Sequence, residues 1–295
     1  MSEGSPGLKL RGSIENSCIA VPGAPFPLAM RLIESFGFPA AYLSGAAFSA
    51  GQLGLPDVGL FTLAELIEQT KRLTRVCETP IIVDADTGFP DAEQVAQTIV
   101  GLEQAGAAAI QLEDQVSAKR CGHLSGKQLV APEAMAEKIR TAVATRSDPD
   151  LVIIARTDAR GVDGLDVALD RARLYLQAGA DWIFIEALEN QSEFADVANQ
   201  LDVPLVANMT EFGKSPLLNL NELGEMGYAV VLFPVTLLRV AMRAMEAVLA
   251  TIGEEGTQSS LLDLMQTREE LYELLSYEEY EESDRRFFLE NKDHE

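Results

Sequence analysis

The chain of 295 residues is strongly acidic, with a formal net charge of −23 at pH 7. This charge disfavours binding to nucleic acid or to an anionic membrane surface, and no apolar run approaches the roughly 18 residues of a membrane span. The three cysteines lie at unrelated spacings, which argues against a disulfide framework. The N-terminal stretch has no apolar signal segment, so we expect a cytoplasmic protein. From the acidic charge we expect no nucleic-acid or membrane partners.

Short apolar runs alternate with amphipathic segments along the chain. Residues 62–77 and 164–180 show helical periodicity, and the apolar runs between such segments are typical of buried parallel strands. These runs begin at Cys18, Ala40, Pro80, Ala108, Leu151, Trp182, Pro204 and Tyr228. Eight such units predict an α/β fold, a (β/α)8 TIM-type barrel over residues 1–250, followed by a C-terminal helical extension over residues 251–295. An open doubly wound sheet is the alternative, but no GxGxxG motif follows the first run.

Glycines mark the predicted helix ends at a regular distance from the strands that follow. Gly37, Gly106, Gly179 and Gly227 each precede a predicted strand end by seven residues. A left-handed cap at a helix C-terminus favours glycine, so the spacing indicates a repeated unit. The alternative is that short glycine-containing loops precede strands in any α/β protein.

Polar residues follow almost every predicted strand. Side chains two residues apart share one face of a strand, so each of several pairs is expected to point the same way. The pairs are Tyr42 with Ser44, Asp84 with Asp86, Arg156 with Asp158, and Asn208 with Thr210. In a barrel these groups converge on the C-terminal mouth, where active sites lie.

Asp84 and Asp86, with Glu113 on the next strand, form a candidate metal site. Carboxylates this close raise one another's pKa unless a cation lies between them. Oxygen ligands suit Mg²⁺ or Mn²⁺, and the chain has only two histidines with which to build a zinc or iron site. The alternative is that these aspartates cap a helix or form ion pairs.

Arg156 lies at the end of the fifth predicted strand. It is either a partner for neighbouring carboxylates such as Asp158 or a bidentate clamp for a substrate carboxylate. If the substrate is an anion, a local cation must offset the acidic field of the protein, which favours the clamp.

The segment "KRCGH" combines Lys119, Arg120, Cys121 and His123 just after an acidic strand end. Neighbouring cations would stabilise a thiolate at Cys121, and Gly122 with Gly126 would allow a mobile lid. The alternative is an ordinary solvent-exposed loop. A serine hydrolase is poorly supported, because the chain lacks a GxSxG motif.

The acidic C-terminal segment repeats aromatic residues near one helical face, at Tyr277, Tyr280, Phe287 and Phe288. This face is expected to pack either on the chain's own barrel or on a neighbouring subunit. The sequence leaves both possibilities open.

The order of short motifs resembles one known family. The segments are "YLSG", "GLPD", "VDADTGF", "EDQ", "KRCGH", "ARTDA", "NMTEFG" and "QTREELYE". Over nearly the whole chain they resemble the 2-methylisocitrate lyases of the isocitrate lyase/phosphoenolpyruvate mutase superfamily. "KRCGH" after "EDQ" is specific to the lyase branch, and the chain has no room for the inserted helices of isocitrate lyases proper.

The resemblance implies a barrel that binds Mg²⁺ or Mn²⁺ and cleaves a small tricarboxylate, 2-methylisocitrate, to pyruvate and succinate in the methylcitrate cycle of propionate breakdown. It also implies a homotetramer in which the last helix is swapped with a neighbour. Other activities of the superfamily stay as alternatives, namely isocitrate lyase, oxaloacetate decarboxylase and phosphonate-bond mutase or hydrolase. A non-catalytic metal-binding barrel is a further, disfavoured alternative.

The same resemblance assigns roles to individual residues. It implies that Asp84 and Asp86 bind the metal, and that Asp57 and Glu113 act on it through water. Catalytic roles fall to Cys121, the expected proton donor, with His123, Arg156 and Glu186. The implied substrate-binding residues are Tyr42, Ser44, Gly45, Ala46, Gly122, Arg156, Glu186, Asn208, Met209, Thr210, Arg239 and Arg268, and Tyr42 is also a candidate base. One departure is "YLSGAA" where the family often reads "YLSGGG", so the methyl group of Ala46 is expected to crowd a substrate carboxylate.

Overall fold

The computed structural model describes residues 4–89, 91–117, 119–120, 122–124, 126–282 and 285. Its strands are β1 Ile19–Pro22, β2 Ala41–Leu43, β3 Ile81–Asp84, β4 Ala109–Glu113, β5 Val152–Thr157, β6 Trp182–Ile185, β7 Leu205–Asn208 and β8 Val230–Phe233. Its helices are α1 Pro6–Ser13, α2 Pro27–Ser35, α3 Gly45–Phe48, α4 Leu63–Thr74, α5 Ala92–Gln104, α6 Pro132–Thr145, α7 Arg160–Asp163, α8 Leu165–Gln177, α9 Gln191–Gln200, α10 Leu220–Met226, α11 Thr236–Glu255 and α12 Arg268–Leu274.

The strands form one parallel sheet that closes on itself. The strand order is β1-β8-β7-β6-β5-β4-β3-β2. Strands β2 to β8 therefore pair in sequence order, and β1 pairs with β8. A parallel bridge between Gly23 and Tyr42 joins the remaining two edges, next to β1 and in β2. This confirms the predicted (β/α)8 barrel and excludes the open doubly wound sheet.

Alternation along the strands divides the core into two layers. One buried cluster contains Tyr42, Ile82, Ile154 and Phe184, which occupy alternate strand positions facing the barrel interior. The intervening strand residues join the larger buried cluster between the sheet and the surrounding helices. The inward series ends in polar side chains at the C-terminal ends of the strands, and this end of the barrel therefore holds the site.

Helix boundaries follow the local signals in the sequence. The predicted helix over residues 62–77 is α4, and a capping box in which Thr62 and Glu65 bond reciprocally starts it. The predicted helix ends are confirmed as well, since the glycines that follow α2, α5, α8 and α10 all have left-handed backbones. Their φ angles are 73°, 89°, 104° and 105° for Gly37, Gly106, Gly179 and Gly227.

The chain divides into two compact units, residues 1–238 and 239–295. The second unit contains most of α11, a 3-10 helix over Ser259–Leu264, and α12. Residues 277–282 are also helical, whereas Phe287 and Phe288 of the predicted aromatic face lie outside the described residues. The division at residue 250 and the packing of the extension on a neighbouring subunit stay predictions. In the described part of the chain, we find no helix with the length and apolarity that a bilayer crossing demands.

Candidate active site

Three buried carboxylates meet at the C-terminal end of the barrel. Asp84 ends β3, Asp86 follows it by two residues, and Glu113 ends the neighbouring strand β4. Each contributes an oxygen atom to a group in which all three atoms lie within 4.8 Å of one another. The predicted cluster is therefore present in the described part of the chain, with oxygen ligands only.

The route by which Asp86 reaches this cluster differs from the prediction. Strand β3 ends at Asp84, so simple alternation does not extend to Asp86. Instead Asp86, Gly88 and Phe89 adopt left-handed backbones, with φ of 50°, 75° and 64°. Such a conformation is unfavourable for residues with a side chain and persists where surrounding contacts impose it. Here a tight turn, whose Asp86 N–H donates to Asp84 Oδ1 at 3.1 Å, brings the second carboxylate back over the strand end.

Lys119 is the cation next to the cluster. Its ammonium lies 2.6 Å from Asp86 Oδ1 and also pairs with Asp57, and its side chain is only 5% exposed. Burial lowers the pKa of Lys119, but Asp86 and Glu113 outweigh this and hold it well above its ordinary value. The structure pairs Lys119 with Asp57. The expected effect of Lys119 on the thiol of Cys121, and the water-mediated role that the resemblance implies for Asp57, stay predictions.

The three carboxylates have the properties of a cation site. Burial raises the pKa of Asp86 to about 7, against the opposing effect of Lys119. Burial also raises the pKa of Glu113 well above its ordinary value, although Arg156 lowers it. Glu113 Oε1 accepts no hydrogen bond from the described residues. A further cation would therefore be stabilised here, and the residues fit a hard divalent metal.

Gly45 leaves room beside these carboxylates. Its N–H donates to Asp84 Oδ2 at 3.1 Å. A side chain at this position would place its Cβ 3.0 Å from Asp86 Oδ1 and 3.2 Å from Asp84 Oδ2. The turn after Ser44, whose hydroxyl caps α3, thus brings the backbone against the ligand oxygens without filling the space that a metal would occupy.

Tyr42 belongs to a buried hydrogen-bond chain. Its hydroxyl donates to Gln111 Oε1 at 2.8 Å, and Gln111 Nε2 donates to Asp84 Oδ1 at 3.1 Å. Burial, followed by the charge of Asp84, raises the pKa of Tyr42 well above its ordinary value. In this structure the hydroxyl is a hydrogen-bond donor to Gln111, and the role of Tyr42 as a base stays a prediction.

The guanidinium of Arg156 is surrounded by carboxylates at the mouth of the barrel. Its guanidinium contacts Glu113 at 3.4 Å, Asp158 at 3.1 Å and Glu186 at 3.2 Å. The group also lies over the ring of Phe184, 5.2 Å from its centroid. The sequence left open whether Arg156 pairs with neighbouring carboxylates or binds a substrate. The structure shows the pairing and also places the side chain on the wall of the central cavity.

Glu186 is held as an anion by donors on both oxygens. His123 Nε2 lies 3.0 Å from Oε1, and Asn208 Nδ2 donates to Oε2 at 3.1 Å. Burial raises the pKa of Glu186, but Arg156 and the hydrogen bond from His123 outweigh it and leave the pKa below its ordinary value. Glu186 is therefore a fixed negative charge that orients its neighbours, and it is poorly suited to donate a proton.

His123 connects two loops at the mouth. Its Nδ1 accepts the backbone N–H of Lys214 at 3.0 Å, which leaves Nε2 to carry the proton towards Glu186. Gly213 allows this approach, because a Cβ there would lie 2.6 Å from Nδ1. Nδ1 is thus hydrogen-bonded to the loop of Lys214, and Nε2 lies next to the carboxylate of Glu186.

The loop that contains "KRCGH" is closed at its base. Gln115 and Leu129 form an antiparallel bridge, and the Gln115 side chain both accepts from the N–H and donates to the carbonyl of Arg120. Cys121, the predicted proton donor, lies outside the described residues. Gly122 packs so closely that a Cβ would lie 2.3 Å from Arg156 Nη2. The part of the loop that the structure describes is therefore seated on the site.

A cavity opens at the mouth of the barrel. It brings together most of the predicted site residues, namely Tyr42, Ser44, Ala46, Asp57, Asp84, Gly122, His123, Arg156, Glu186, Asn208 and Thr210. Ala46, the departure from the family motif, is thus on the cavity wall. Asp86, Glu113 and Gly45 lie behind this surface, in contact with the lining residues.

Met209, a predicted substrate-binding residue, is buried in the core and does not line the cavity. Because Asn208 faces the barrel interior, the next side chain faces the opposite layer, and Met209 is buried there in the core. Its sulphur accepts the N–H of Leu218 at 3.3 Å. Arg239 and Arg268 belong to the second compact unit, so their predicted contacts with substrate stay predictions.

Several residues that line the cavity or contact its lining residues were absent from the sequence prediction. Gln111 is an isolated polar residue at an inward position of β4, and that position was the signal that could have identified it. The apolar members Phe184, Leu232, Pro234 and Val235 give no such signal, because apolar residues are expected in any strand.

The sequence of the chain is similar to those of known proteins. Residues 16–253 match the profile of the phosphoenolpyruvate phosphomutase family. A 2-methylisocitrate lyase from Aeropyrum pernix is 53% identical over 244 residues, which cover 82% of this chain and 78% of that protein. The chain belongs to the phosphoenolpyruvate mutase/isocitrate lyase superfamily.

Other members of the superfamily agree with this assignment. The 2-methylisocitrate lyase of Salmonella typhimurium is 45% identical over 250 residues, covering 84% of this chain and 85% of that protein. A crystal structure of 2,3-dimethylmalate lyase superposes with a TM-score of 0.90 at 34% identity, covering 96% of each chain. The superfamily is metal-dependent, and the buried triad of Asp84, Asp86 and Glu113 is the group in the described residues that could hold the ion.

Proposed function

We propose that this protein is a carbon–carbon lyase that cleaves 2-methylisocitrate to pyruvate and succinate. The observation that carries the proposal is the meeting of an acidic triad with Arg156 and the His123–Glu186 pair around one cavity. The 53% identity to a protein named 2-methylisocitrate lyase supports this choice of substrate. The protein would act in the cytoplasm, in the methylcitrate cycle of propionate breakdown.

Asp84, Asp86 and Glu113 would hold Mg²⁺ or Mn²⁺. Of these, Glu113 would act on the ion through water, as would Asp57. When bound, such an ion lowers the pKa of the substrate's C2 hydroxyl and offsets the charge that develops on that oxygen. Gln111, which is fixed by Tyr42, keeps Asp84 oriented towards the cation. These outer contacts matter because they set the direction of the ligand oxygens.

Arg156 would bind a carboxylate of the substrate while Asp158 holds its guanidinium in place. Its hydrogen bonds to Asp158, at 3.1 and 3.3 Å, fix the guanidinium on the cavity wall. Asn208 Oδ1, which has no hydrogen-bond partner among the described residues, is an acceptor in the same wall. Together they orient the C2–C3 bond for cleavage.

Cleavage begins when the C2 hydroxyl loses its proton to a base. The C2–C3 bond then breaks, C2 becomes the ketone carbon of pyruvate, and the electron pair passes to C3 and its carboxylate. The resulting carbanion of succinate needs a proton at C3. We assign this proton to the thiol of Cys121, in the loop that Gly122 seats on Arg156.

The apolar part of the cavity supports a methyl-bearing substrate. Phe184, Leu232 and Pro234 line the cavity on the strands and strand ends opposite the acidic triad. A methyl group in such surroundings contributes about 1–3 kcal/mol to discrimination. This accounts for an expected preference for 2-methylisocitrate over isocitrate.

A parallel assay of three substrates tests the proposal. Pyruvate release from 2-methylisocitrate and from 2,3-dimethylmalate is followed with lactate dehydrogenase, and glyoxylate release from isocitrate with phenylhydrazine. We expect the highest kcat/KM with 2-methylisocitrate. The second substrate is included because a solved structure with a TM-score of 0.90 is a 2,3-dimethylmalate lyase. A higher kcat/KM with either competitor would overturn the assignment.

A further inference from the structure

Lys127 is a buried lysine that the proposed reaction does not use. Its side chain is 1% exposed, and its ammonium makes two short contacts in the part of the chain that the structure describes. Nζ donates to the carbonyl of Gly122 at 2.5 Å and to Asp158 Oδ1 at 2.8 Å. A buried ammonium is costly unless it is paired, so the position of this side chain is fixed by those two partners.

Both partners of Lys127 lie against the guanidinium of Arg156. Asp158 accepts two hydrogen bonds from the guanidinium, at Nε and Nη2. Gly122 approaches the same guanidinium so closely that a Cβ would lie 2.3 Å from Nη2 and 2.5 Å from Glu186 Cγ. One ammonium therefore joins the backbone of the loop to the carboxylate that orients Arg156.

We propose that Lys127 is a positioning residue that pins the loop of residues 115–129 against Arg156 by holding the Gly122 carbonyl and the Asp158 carboxylate together. Lys127 touches neither substrate nor metal in this proposal. Its effect is to fix the backbone next to Cys121 in the same frame as the guanidinium. Its effect on turnover rests on the proposed lyase function, whereas its effect on the loop does not.

The primary test replaces Lys127 by methionine, which has a similar length but no charge. We expect kcat to fall about 10–100-fold, because a small misplacement of a reacting group has effects of this size. KM should change less than kcat, since Arg156 keeps its contacts with Asp158. A Lys127→Met variant with kcat within twofold of the wild type would overturn the proposal.

Arg146 provides a matched control. It too lies between a backbone carbonyl and a carboxylate, donating to Leu151 O at 2.6 Å and to Asp181, but these residues precede β5 and β6 at the opposite end of the barrel. Arg146→Met should lower the thermal midpoint as Lys127→Met does, yet leave kcat within twofold. An equal loss of kcat in both variants would mean that Lys127 acts only through general stability.

A double-mutant cycle separates positioning from charge neutralisation. If Lys127 only neutralises Asp158, then Lys127→Met adds nothing once Asp158→Asn is present, and the proposal fails. If it also holds the Gly122 carbonyl, the double variant is slower than Asp158→Asn alone. The double variant has no unpaired buried charge at this pair, so it also replaces Lys127→Met in the test should the single variant not fold.

Hydrogen exchange gives a readout that needs no turnover. The N–H of Arg120 donates to the Gln115 side chain, and the N–H of Lys214 donates to His123, so both amides report on the seated loop. Lys127→Met should speed their exchange, and Arg146→Met should not. Unchanged exchange in Lys127→Met would overturn the proposal, even if the wild type cleaved none of the three substrates. That last result would contradict only the proposed lyase function.

Discussion

Asp84 is the residue on which the metal site depends most directly. Both of its oxygens accept backbone N–H bonds, so Asp84→Asn would keep the shape of the side chain, remove its charge and turn an amide NH2 towards one of these donors. We expect Mn²⁺ affinity, measured by electron paramagnetic resonance, to fall by at least about 100-fold, beyond the usual effect of removing an outer contact. Asp170→Asn, on the exposed surface of α8, is the matched control and should bind Mn²⁺ normally. Unchanged affinity in Asp84→Asn would place the metal elsewhere.

Cys121 is the residue with the most specific predicted role, that of proton donor. Serine keeps the size and the proton of the side chain but is a far weaker acid, so Cys121→Ser should lower kcat about 10²–10⁴-fold. Mn²⁺ binding should be unaffected, because the carboxylates are intact. Cys18→Ser and Cys77→Ser are the controls, since both thiols are half-buried and burial raises the pKa of each to about 11. If Cys121→Ser turned over like these controls, the proton donor would have to be another group.

At this scale the sequence predicted side chains on strands better than side chains on loops. Asp84 and Glu113 could be placed together because parallel strands end at one edge of the barrel. The partner of Lys119 could not be predicted, since "KRCGH" does not tell in which direction each loop side chain folds back. The structure pairs Lys119 with Asp57 and Asp86, which lie 62 and 33 positions earlier in the chain. Long-range ion pairs of this kind have no local signature.

The loop of residues 115–129 is the element whose position decides whether the site is complete. Gly122 is its point of closest approach, and Gly122→Ala would force a Cβ into Arg156 and Glu186 at 2.3 and 2.5 Å. We expect the loop to be displaced and kcat to fall about 100-fold, the effect of a misplacement of roughly 1 Å. Steady-state kinetics on the proposed substrate would measure this.

Gly12→Ala is the matched control for this substitution. Gly12 lies in α1, where an added Cβ meets no atom within 4 Å, so alanine there should be tolerated or slightly stabilising. Near-native kcat in both variants would mean that the seated position of Gly122 is not needed for turnover.

Elements were predictable to the extent that their signals are local. The apolar runs identified all eight strands, and the glycines identified four helix ends, because period, capping and backbone handedness are properties of short segments. The turn through Asp86, Gly88 and Phe89 could not be predicted in the same way. Asp86 and Phe89 are not glycines, yet their backbones are left-handed. Such a conformation persists only where the surrounding fold imposes it.

At the scale of the whole molecule, α11 is the element on which we base the expected assembly. This helix of 20 residues has no buried residue, although Met242, Met245 and Leu249 lie on one helical face at exposed fractions of 49%, 50% and 69%. Exposed apolar surface of this kind marks an interaction site in most proteins. The net charge of −23 disfavours association between copies of the chain, so an assembly would require a specific apolar contact to offset the repulsion.

We therefore expect a homo-oligomer, a tetramer by resemblance to the family, with α11 in the interface. The double variant Met245→Glu, Leu249→Glu adds charges to this face, and multi-angle light scattering at micromolar concentration should show a smaller species than the wild type. Phe36→Glu is the matched control, because Phe36 is 78% exposed on the first compact unit and a glutamate there should leave the assembly unchanged. A monomeric wild type, or an unchanged mass in the double variant, would contradict the prediction. Deleting residues 277–295 should also weaken the assembly, since Tyr277 and Tyr280 in that segment are exposed aromatic residues that we expect to pack on a neighbouring subunit.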